Sequence, residues 1–226
     1  FESSVGSALP LCSTLTDLIE TGDRVRSISG CLSGTMAYVL STFSETVPFS
    51  EAVRDAVAKK ITEADSREDL SGQVSAEKVV ILARQLGLDI EVTDVEFDCI
   101  VPEEIMKKQY VGSREEADAV MLDDFKCMDA PMLERMRQAK ARDNELRWKF
   151  VIEGDTGKCR CSLQEVGQND PLFRLKLNEN LVAFETGRYA LSPLIIKGAA
   201  AGPDLSASAI FQELLQLTRA YSSAQG

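Results

Sequence analysis

Lys78 is the residue of this sequence best placed for proton chemistry, because an acid-rich segment precedes the helix predicted to carry it. That segment, TEADSREDLSG, brings carboxylates at Glu63, Asp65, Glu68 and Asp69. An ammonium close to one of these acids can donate a proton to a carbonyl oxygen. Two other interpretations stay open. The lysine stem also suits a side chain that covers apolar surface while its ammonium stays in water, and acids ahead of a helix also serve as caps and dipole partners.

Several other chemistries are excluded by what the sequence lacks. It contains no histidine, which excludes Ser-His and Cys-His nucleophiles, histidine zinc sites and histidine proton shuttles. It contains no GxGxxG or GxxxxGK loop, so this chain offers no standard phosphate cradle. Its six cysteines are expected to be reduced thiols. Cys159 and Cys161 fall on one face of a predicted strand, where small apolar fillers belong; as a metal site they would need further ligands that no second close pair supplies.

The elements that must position Lys78 follow from apolar spacing and from glycine and serine signals. Its helix is predicted to begin at Ser71 or Gly72 and to end at Gly87, with Val74 one turn before the lysine. The patterns ahead of it predict a helix near 12–21, a strand over 24–29 that Gly30 ends, a helix from Gly34 to about Phe43, and a helix near 51–60 capped by Ser50.

The apolar pattern in the second half of the sequence predicts mostly strands. The expected elements are a strand over 95–101, a polar helical region over 114–142, four mostly alternating strands over 147–153, 159–165, 181–185 and 189–196, and a closing helix after a loop between Gly198 and Gly202. Short connections between the strands favour antiparallel pairing. The glycine-rich loop either approaches a ligand closely or is only a tight connection. The pattern indicates one α+β domain, with a mixed, largely antiparallel sheet covered by helices.

Composition limits the partners. The net charge is −11, which opposes binding to nucleic acid, since phosphate contacts need clustered lysine and arginine. No run approaches the roughly 18 apolar residues of a membrane-spanning helix, and the N-terminus FESSVGSALP lacks the pattern of a signal peptide. We therefore expect a soluble protein without membrane contact, cytoplasmic by default, or plastid if the source is a photosynthetic eukaryote.

Five ordered motifs resemble those of homoserine dehydrogenases: FESSVGSALP, TGDRVRSISGCLSGTMAYVL, TEADSREDLSG, EKVVILARQLGL and the KGAAAG segment before the last helix. The resemblance implies a catalytic and dimerisation domain over 1–226 that interconverts L-aspartate 4-semialdehyde and L-homoserine with NADP or NAD, in threonine and methionine biosynthesis. It further implies a homodimer. The dinucleotide would be bound mainly by a domain absent from this chain, and the helix at about 203–222 would pack on that domain.

The resemblance also assigns roles to single positions. Lys78 matches the proton donor to the aldehyde oxygen. The other matches are substrate-binding positions at Gly34, Thr35, Glu63, Asp69 and Val74, cofactor-side positions at Lys60 and Gly202, and a loop for a sodium or potassium ion, largely through backbone carbonyls, at Glu2, Val5, Ser7 and Leu9.

Three positions depart from the family pattern. Val74 replaces an aspartate, which predicts a loss of several kcal/mol in transition-state binding if nothing substitutes. Ile61 replaces a tyrosine and Lys60 replaces a glycine, so Lys60 either obstructs backbone approach or pairs with a phosphate. Three hypotheses therefore stand: part of a working or altered-specificity dehydrogenase, an impaired homologue kept as a dimerisation or regulatory module, or a protein that binds the amino acid without hydride transfer.

Overall fold

A six-stranded sheet forms the centre of the protein. The computed structural model describes residues 1–224. The strands are β1 (Val25–Cys31), β2 (Glu96–Phe97), β3 (Glu145–Glu153), β4 (Cys159–Val166), β5 (Glu179–Thr186) and β6 (Leu194–Ala199). Their order is β2-β4-β3-β1-β5-β6, and every neighbouring pair is antiparallel except β2 and β4. This arrangement confirms the predicted α+β class with a mixed, largely antiparallel sheet.

Nine α-helices accompany the sheet within residues 1–224. They are α1 (Leu11–Glu20), α2 (Gly34–Thr42), α3 (Phe49–Ala58), α4 (Ser66–Leu70), α5 (Gln73–Gln85), α6 (Glu103–Lys107), α7 (Arg114–Asp124), α8 (Asp129–Lys140) and α9 (Pro203–Ala224). Short 3-10 turns lie at Glu2–Ser4, Val92–Asp94, Phe125–Met128 and Pro171–Arg174. In the part of the chain described, none of the helices is long and apolar enough to cross a membrane.

The core lies between the helices and one face of the sheet. Ile28, Phe150 and Phe184 are fully buried on the central strands. Trp148 of β3 is also buried, and its indole N–H donates to the Ser75 hydroxyl of α5 at 2.9 Å. Such a bond satisfies the polar end of a buried tryptophan, so it fixes α5 against the sheet.

The prediction that Cys159 and Cys161 fill space on one strand face is confirmed. Both lie on β4 and are buried, and all six cysteines are free thiols. Burial raises the pKa of Cys159 to about 11 and that of Cys161 to about 12. A thiol that resists ionisation is a poor nucleophile, so this pair acts as core packing.

The prediction that Gly30 ends the first strand is wrong. Gly30 lies inside β1 and pairs with Phe150 on one side and Val182 on the other. A Cβ atom there would lie 2.0 Å from the Leu181 carbonyl oxygen. The glycine therefore permits close approach of two backbones and does not break the strand.

The prediction that Ser50 caps a helix starting at 51 is also wrong. Ser50 lies in the first turn of α3, and its backbone N–H and hydroxyl donate to the Asp129 carboxylate at 2.7 and 2.9 Å. The cap comes from α8, far away in sequence, and a carboxylate satisfies first-turn N–H groups as well as a local serine does.

Other predicted boundaries differ where local patterns were ambiguous. The 95–101 strand is only two residues long, and the 189–196 strand begins at Leu194. The 114–142 region is two helices joined by a 3-10 turn, and the acid-rich segment contains the short helix α4. The starts of α2 and α5 agree with prediction because Ser33 caps the first and Gly72, in a left-handed conformation, precedes the second.

Candidate functional site

A cavity of about 500 Å³ opens between five segments of the chain. Its lining includes four of the predicted site residues, Ser7, Lys60, Lys78 and Gly202. The remainder of the lining is Ser3, Ser4, Gly6, Ile61, Asn178, Asn180, Ala200, Ala201, Pro203 and Ser206. A larger groove of about 970 Å³, beside the end of α2 and the start of β3, is lined by none of the predicted residues.

Lys78 reaches this cavity from the second turn of α5. Its side chain is half-buried, and its ammonium donates to the backbone carbonyl of Leu32 with an N–O distance of 3.0 Å. Leu32 itself is buried in the connection from β1 to α2. An ammonium has three N–H donors, so one is fixed to the protein and the others can meet a ligand.

Asp69 is a buried residue of α4 that is hydrogen-bonded to α2 and to the segment after α3. Its carboxylate accepts from the Thr35 hydroxyl at 2.7 Å and from the Glu63 backbone N–H at 2.8 Å. The Thr35 oxygen also lies 3.1 Å from the Ile61 carbonyl oxygen. Burial raises the pKa of Asp69, against the lowering effect of these hydrogen bonds and of the Lys78 charge. Its oxygens are occupied by protein donors, so the geometry gives Asp69 and Thr35 a positioning role.

The remaining predicted substrate positions do not line the cavity. Gly34 begins α2, and a Cβ atom there would lie 3.3 Å from the Ala200 Cβ. Val74 is half-buried one turn before Lys78, whereas Glu77 is exposed on another side of the helix. The Glu63 side chain is exposed, although its backbone N–H is bonded to Asp69. No side chain lining the cavity in residues 1–224 is therefore a carboxylate.

Lys60 adopts a left-handed backbone conformation, with φ at 57°, directly after α3. This conformation is uncommon for a residue with a side chain and costs about 1 kcal/mol relative to glycine. Its side chain is exposed at the cavity. Together with Lys78 it makes the lining cationic, although the chain carries a net charge of −11. The cavity suits an anion or a polarised carbonyl group.

The predicted cation loop folds over the start of α1. Gly6 and Ser7 have φ values of 76° and 61°, so the backbone reverses there. The Glu2 carboxylate accepts from the backbone N–H groups of Cys12 and Ser13 at 2.7 and 2.9 Å. Glu2 thus caps α1, whose preceding residue, Pro10, has no capping side chain. The Glu2 carboxylate is therefore engaged by the protein, and the backbone carbonyls of this loop are suited to a monovalent ion.

Asn178 and Asn180 were missed by the sequence reasoning. Asn180 is buried at the start of β5, and its Oδ1 has no hydrogen-bond partner. Asn178 is exposed, with φ at 56°. The signal available in the sequence was a polar residue at the start of the buried strand NLVAF, where an amide needs a reason to be buried.

The family model of homoserine dehydrogenase matches residues 10–215. Among curated proteins, a chloroplastic bifunctional aspartokinase/homoserine dehydrogenase from Daucus carota is 36% identical over 96% of this chain and 23% of its own length. A bifunctional aspartokinase/homoserine dehydrogenase from Haemophilus influenzae is 34% identical over 96% of the chain and 25% of its own length. The chain thus spans about a quarter of the length of these relatives.

Solved structures agree in fold. A Candida auris protein of unknown function has a TM-score of 0.86 at 31% identity, with 96% of this chain and 60% of that chain covered. A homoserine dehydrogenase from Thiobacillus denitrificans has a TM-score of 0.73 at 18% identity, covering 99% and 46%. A hyperthermophilic archaeal homoserine dehydrogenase, solved in complex with NADPH, has a TM-score of 0.67 at 19% identity, covering 96% and 55%.

Proposed function

Since the chain belongs to the homoserine dehydrogenase family, we propose that it forms the substrate side of an NAD(P)-dependent enzyme that interconverts L-aspartate 4-semialdehyde and L-homoserine. One observation carries the proposal: the Lys78 ammonium lies at a cationic cavity with one N–H fixed to the Leu32 carbonyl. A lysine that only covered the core would direct its ammonium to bulk water.

Lys78 acts at the oxygen of the reacting carbon. When bound, the nicotinamide cofactor supplies the hydride to the aldehyde carbon or takes it from the alcohol carbon. In reduction the ammonium polarises the aldehyde oxygen and donates a proton to the developing alkoxide, leaving a neutral amine. In oxidation the neutral amine takes the hydroxyl proton. The Leu32 carbonyl limits rotation of the side chain during either step.

The amino acid end of the substrate would meet the loop that Asp69 holds. Glu63 offers an exposed carboxylate for the substrate ammonium, beside its own backbone N–H that bonds Asp69. Gly34 leaves room at the start of α2, where backbone N–H groups favour a carboxylate. The family resemblance assigns these substrate-binding roles to Glu63 and Gly34. The hydrogen bonds of Asp69 to Thr35 and to the Glu63 backbone support them, because they fix the loop that carries Glu63.

NADP or NAD would reach the same cavity through Gly202 and Lys60. Gly202 has φ at 156° and stands before α9, where a side chain would crowd the approach. The archaeal relative in complex with NADPH supports cofactor use in this fold. The lining also fits the nicotinamide end chemically, because it contains buried polar atoms without partners, Ser7 Oγ and Asn180 Oδ1. A sodium or potassium ion would bind the carbonyls of the loop at Val5, Ser7 and Leu9.

The helix α9 would pack on a nucleotide-binding domain, as the resemblance implies. The large side chains exposed along it, 40–68% accessible, are Ile210, Phe211, Leu214, Leu215, Leu217 and Tyr221. An apolar face of this length is typical of an interface. A homodimer belongs to the same proposal, and light scattering after size-exclusion chromatography measures it.

A second candidate function is an impaired homologue that serves as a dimerisation, regulatory or amino acid-binding module. Val74 favours it, because the valine provides no carboxylate one turn from Lys78. The two candidates differ in whether the full-length protein transfers hydride.

NADP-dependent oxidation of homoserine by the full-length protein tests the proposal, with Lys78→Ala as control. Turnover that disappears in Lys78→Ala supports the dehydrogenase. Homoserine binding in calorimetry without turnover supports the module. Absence of both turnover and binding contradicts the dehydrogenase and the amino acid-binding module, and a dimer measured by light scattering would then support a dimerisation module.

A further inference from the structure

Asn180 is a buried amide with one end unused. Its side chain is 2% exposed and lines the cavity that Lys78 reaches. The Nδ2 group lies 3.5 Å from the Ala200 carbonyl oxygen, the outer limit of a hydrogen bond, whereas Oδ1 has no partner. A buried carbonyl oxygen without a donor lowers stability unless a ligand or water supplies one. Asn180 Oδ1 is therefore available to accept a hydrogen bond from an N–H or O–H group of a ligand.

Ser7 provides a second unpaired group in the same cavity. Its hydroxyl oxygen is buried without a partner, on a backbone turned left-handed at φ 61°. A hydroxyl can donate as well as accept. The cavity thus offers one acceptor at Asn180 and one donor at Ser7, both neutral, in addition to the ammonium of Lys78.

We propose that Asn180 and Ser7 bind the primary carboxamide of the nicotinamide ring, and this rests on the proposed function. Asn180 Oδ1 accepts from the carboxamide N–H, and the Ser7 hydroxyl donates to the carboxamide oxygen. Among the groups that the proposed reaction brings, the substrate carboxylate has only acceptors and the substrate ammonium has only donors. A primary carboxamide presents N–H donors and a carbonyl acceptor side by side on one neutral planar group, whereas the homoserine hydroxyl, which also donates and accepts, lies at Lys78 in the proposed reaction.

The surrounding residues agree with this choice. The lysines at 60 and 78 repel a substrate ammonium from this part of the cavity. Gly202 belongs to the same lining, and Asn180 pairs in the sheet with Gly198, at the beginning of the segment that leads there. Held by Asn180 and Ser7 at both ends, the carboxamide would be restrained from rotating.

Calorimetry with the full-length protein tests the inference, with NADP and its 3-acetylpyridine analogue as ligands. The analogue keeps the carbonyl oxygen and lacks the N–H group. We expect the wild type to bind NADP about tenfold more tightly, the worth of one hydrogen bond to a buried acceptor. Asn180→Leu should bind the two ligands equally. Ser7→Gly, which suits the left-handed backbone, should weaken both about equally and preserve the ratio.

Two controls separate ligand recognition from a structural role. Asn178→Gly removes an exposed amide from the same lining at a left-handed position and should leave the ratio unchanged. Without cofactor, Asn180→Leu should still unfold cooperatively at a temperature close to that of the wild type, because Oδ1 makes no bond in the free protein and Nδ2 makes only the 3.5 Å contact to the Ala200 carbonyl.

The outcomes are distinguishable. An unchanged ratio in Asn180→Leu overturns the carboxamide assignment and leaves the dehydrogenase proposal standing. A wild type that binds neither NADP nor NAD overturns both.

Discussion

The Lys78 ammonium donates to the backbone carbonyl of Leu32, a partner 46 residues earlier in the chain, at 3.0 Å. This bond joins α5 to the connection between β1 and α2, so the position of the reactive group depends on three elements. The lysine is fixed before any ligand arrives, which reduces the entropy lost on binding.

Lys78→Met should distinguish the contribution of the ammonium group from that of the apolar part of the side chain. Methionine keeps an unbranched apolar side chain, so the free energy of unfolding should change by only about 1 kcal/mol, the net worth of one hydrogen bond. The rate of homoserine oxidation should fall about 10²- to 10⁴-fold, the usual contribution of a positioned proton-transfer group. Steady-state kinetics beside urea denaturation measures both quantities. Equal kcat values in the variant and the wild type would remove Lys78 from the mechanism.

Val74→Asp should raise kcat/KM at least about tenfold, because a carboxylate one turn before Lys78 adds a charge that acts on the bound substrate. The valine is half-buried, so the same change should lower the free energy of unfolding by about 1 kcal/mol. Val74→Asn is the matched control, since it has the same shape without the charge. A gain shared by both variants would point to polarity and not to charge.

Lys60→Gly should raise the free energy of unfolding by about 1 kcal/mol, because glycine adopts the left-handed conformation without strain. If the lysine pairs with a cofactor phosphate, as we expect, the same variant should bind NADPH more weakly and with a smaller dependence on salt. Fluorescence titration of NADPH at two salt concentrations measures this. Lys60→Asn is the control, because asparagine also tolerates the left-handed backbone and removes the charge without adding a glycine. Tighter binding of NADPH by both Lys60→Gly and Lys60→Asn would mean that Lys60 obstructs the cofactor.

Asp69 should make stability depend on pH. Burial raises its folded pKa above the unfolded value, so its contribution is fully present below the unfolded pKa of about 3.9 and is lost as pH rises through the folded value. The advantage of the wild type over Asp69→Asn should therefore be largest at acid pH and shrink across that window. Urea denaturation at several pH values measures it. Glu68→Gln, which removes an exposed acid of the same helix, is the matched control variant.

Gly30→Ala should lower the free energy of unfolding by at least about 3 kcal/mol, because the new methyl would overlap the Leu181 carbonyl in the centre of the sheet. Gly22→Ala is the control: φ is 77° there, yet nothing lies within 4 Å of the new atom. Its cost should be only about 1 kcal/mol. Thermal unfolding of both variants checks the difference, and equal losses would contradict the steric argument.

Local signals explain which parts of the fold the sequence predicts. The start of α5 follows from Gly72, and the start of α2 follows from Gly34. Alternation predicts β3 and β4 within two residues of their observed bounds. Each of these signals acts over a few residues, which is the range that sequence patterns cover.

Long-range contacts explain most of what the sequence does not predict. The cap of α3 is Asp129, and the carboxylate that caps α1 is Glu2 across a reversed loop. The same limit applies to the site. The register of Lys78 is predictable from the helix, whereas its Leu32 partner and the unpaired oxygen of Asn180 depend on how distant segments meet.

The strand order has a consequence for synthesis on the ribosome. β1 is made early, but both of its neighbours, β3 and β5, begin only at Glu145 and Glu179. At about 5–20 residues per second, the central strand waits on the order of ten seconds for its first partner. During that time its unpaired backbone edges are free to join another chain, so this half of the protein is where a chaperone would be needed first.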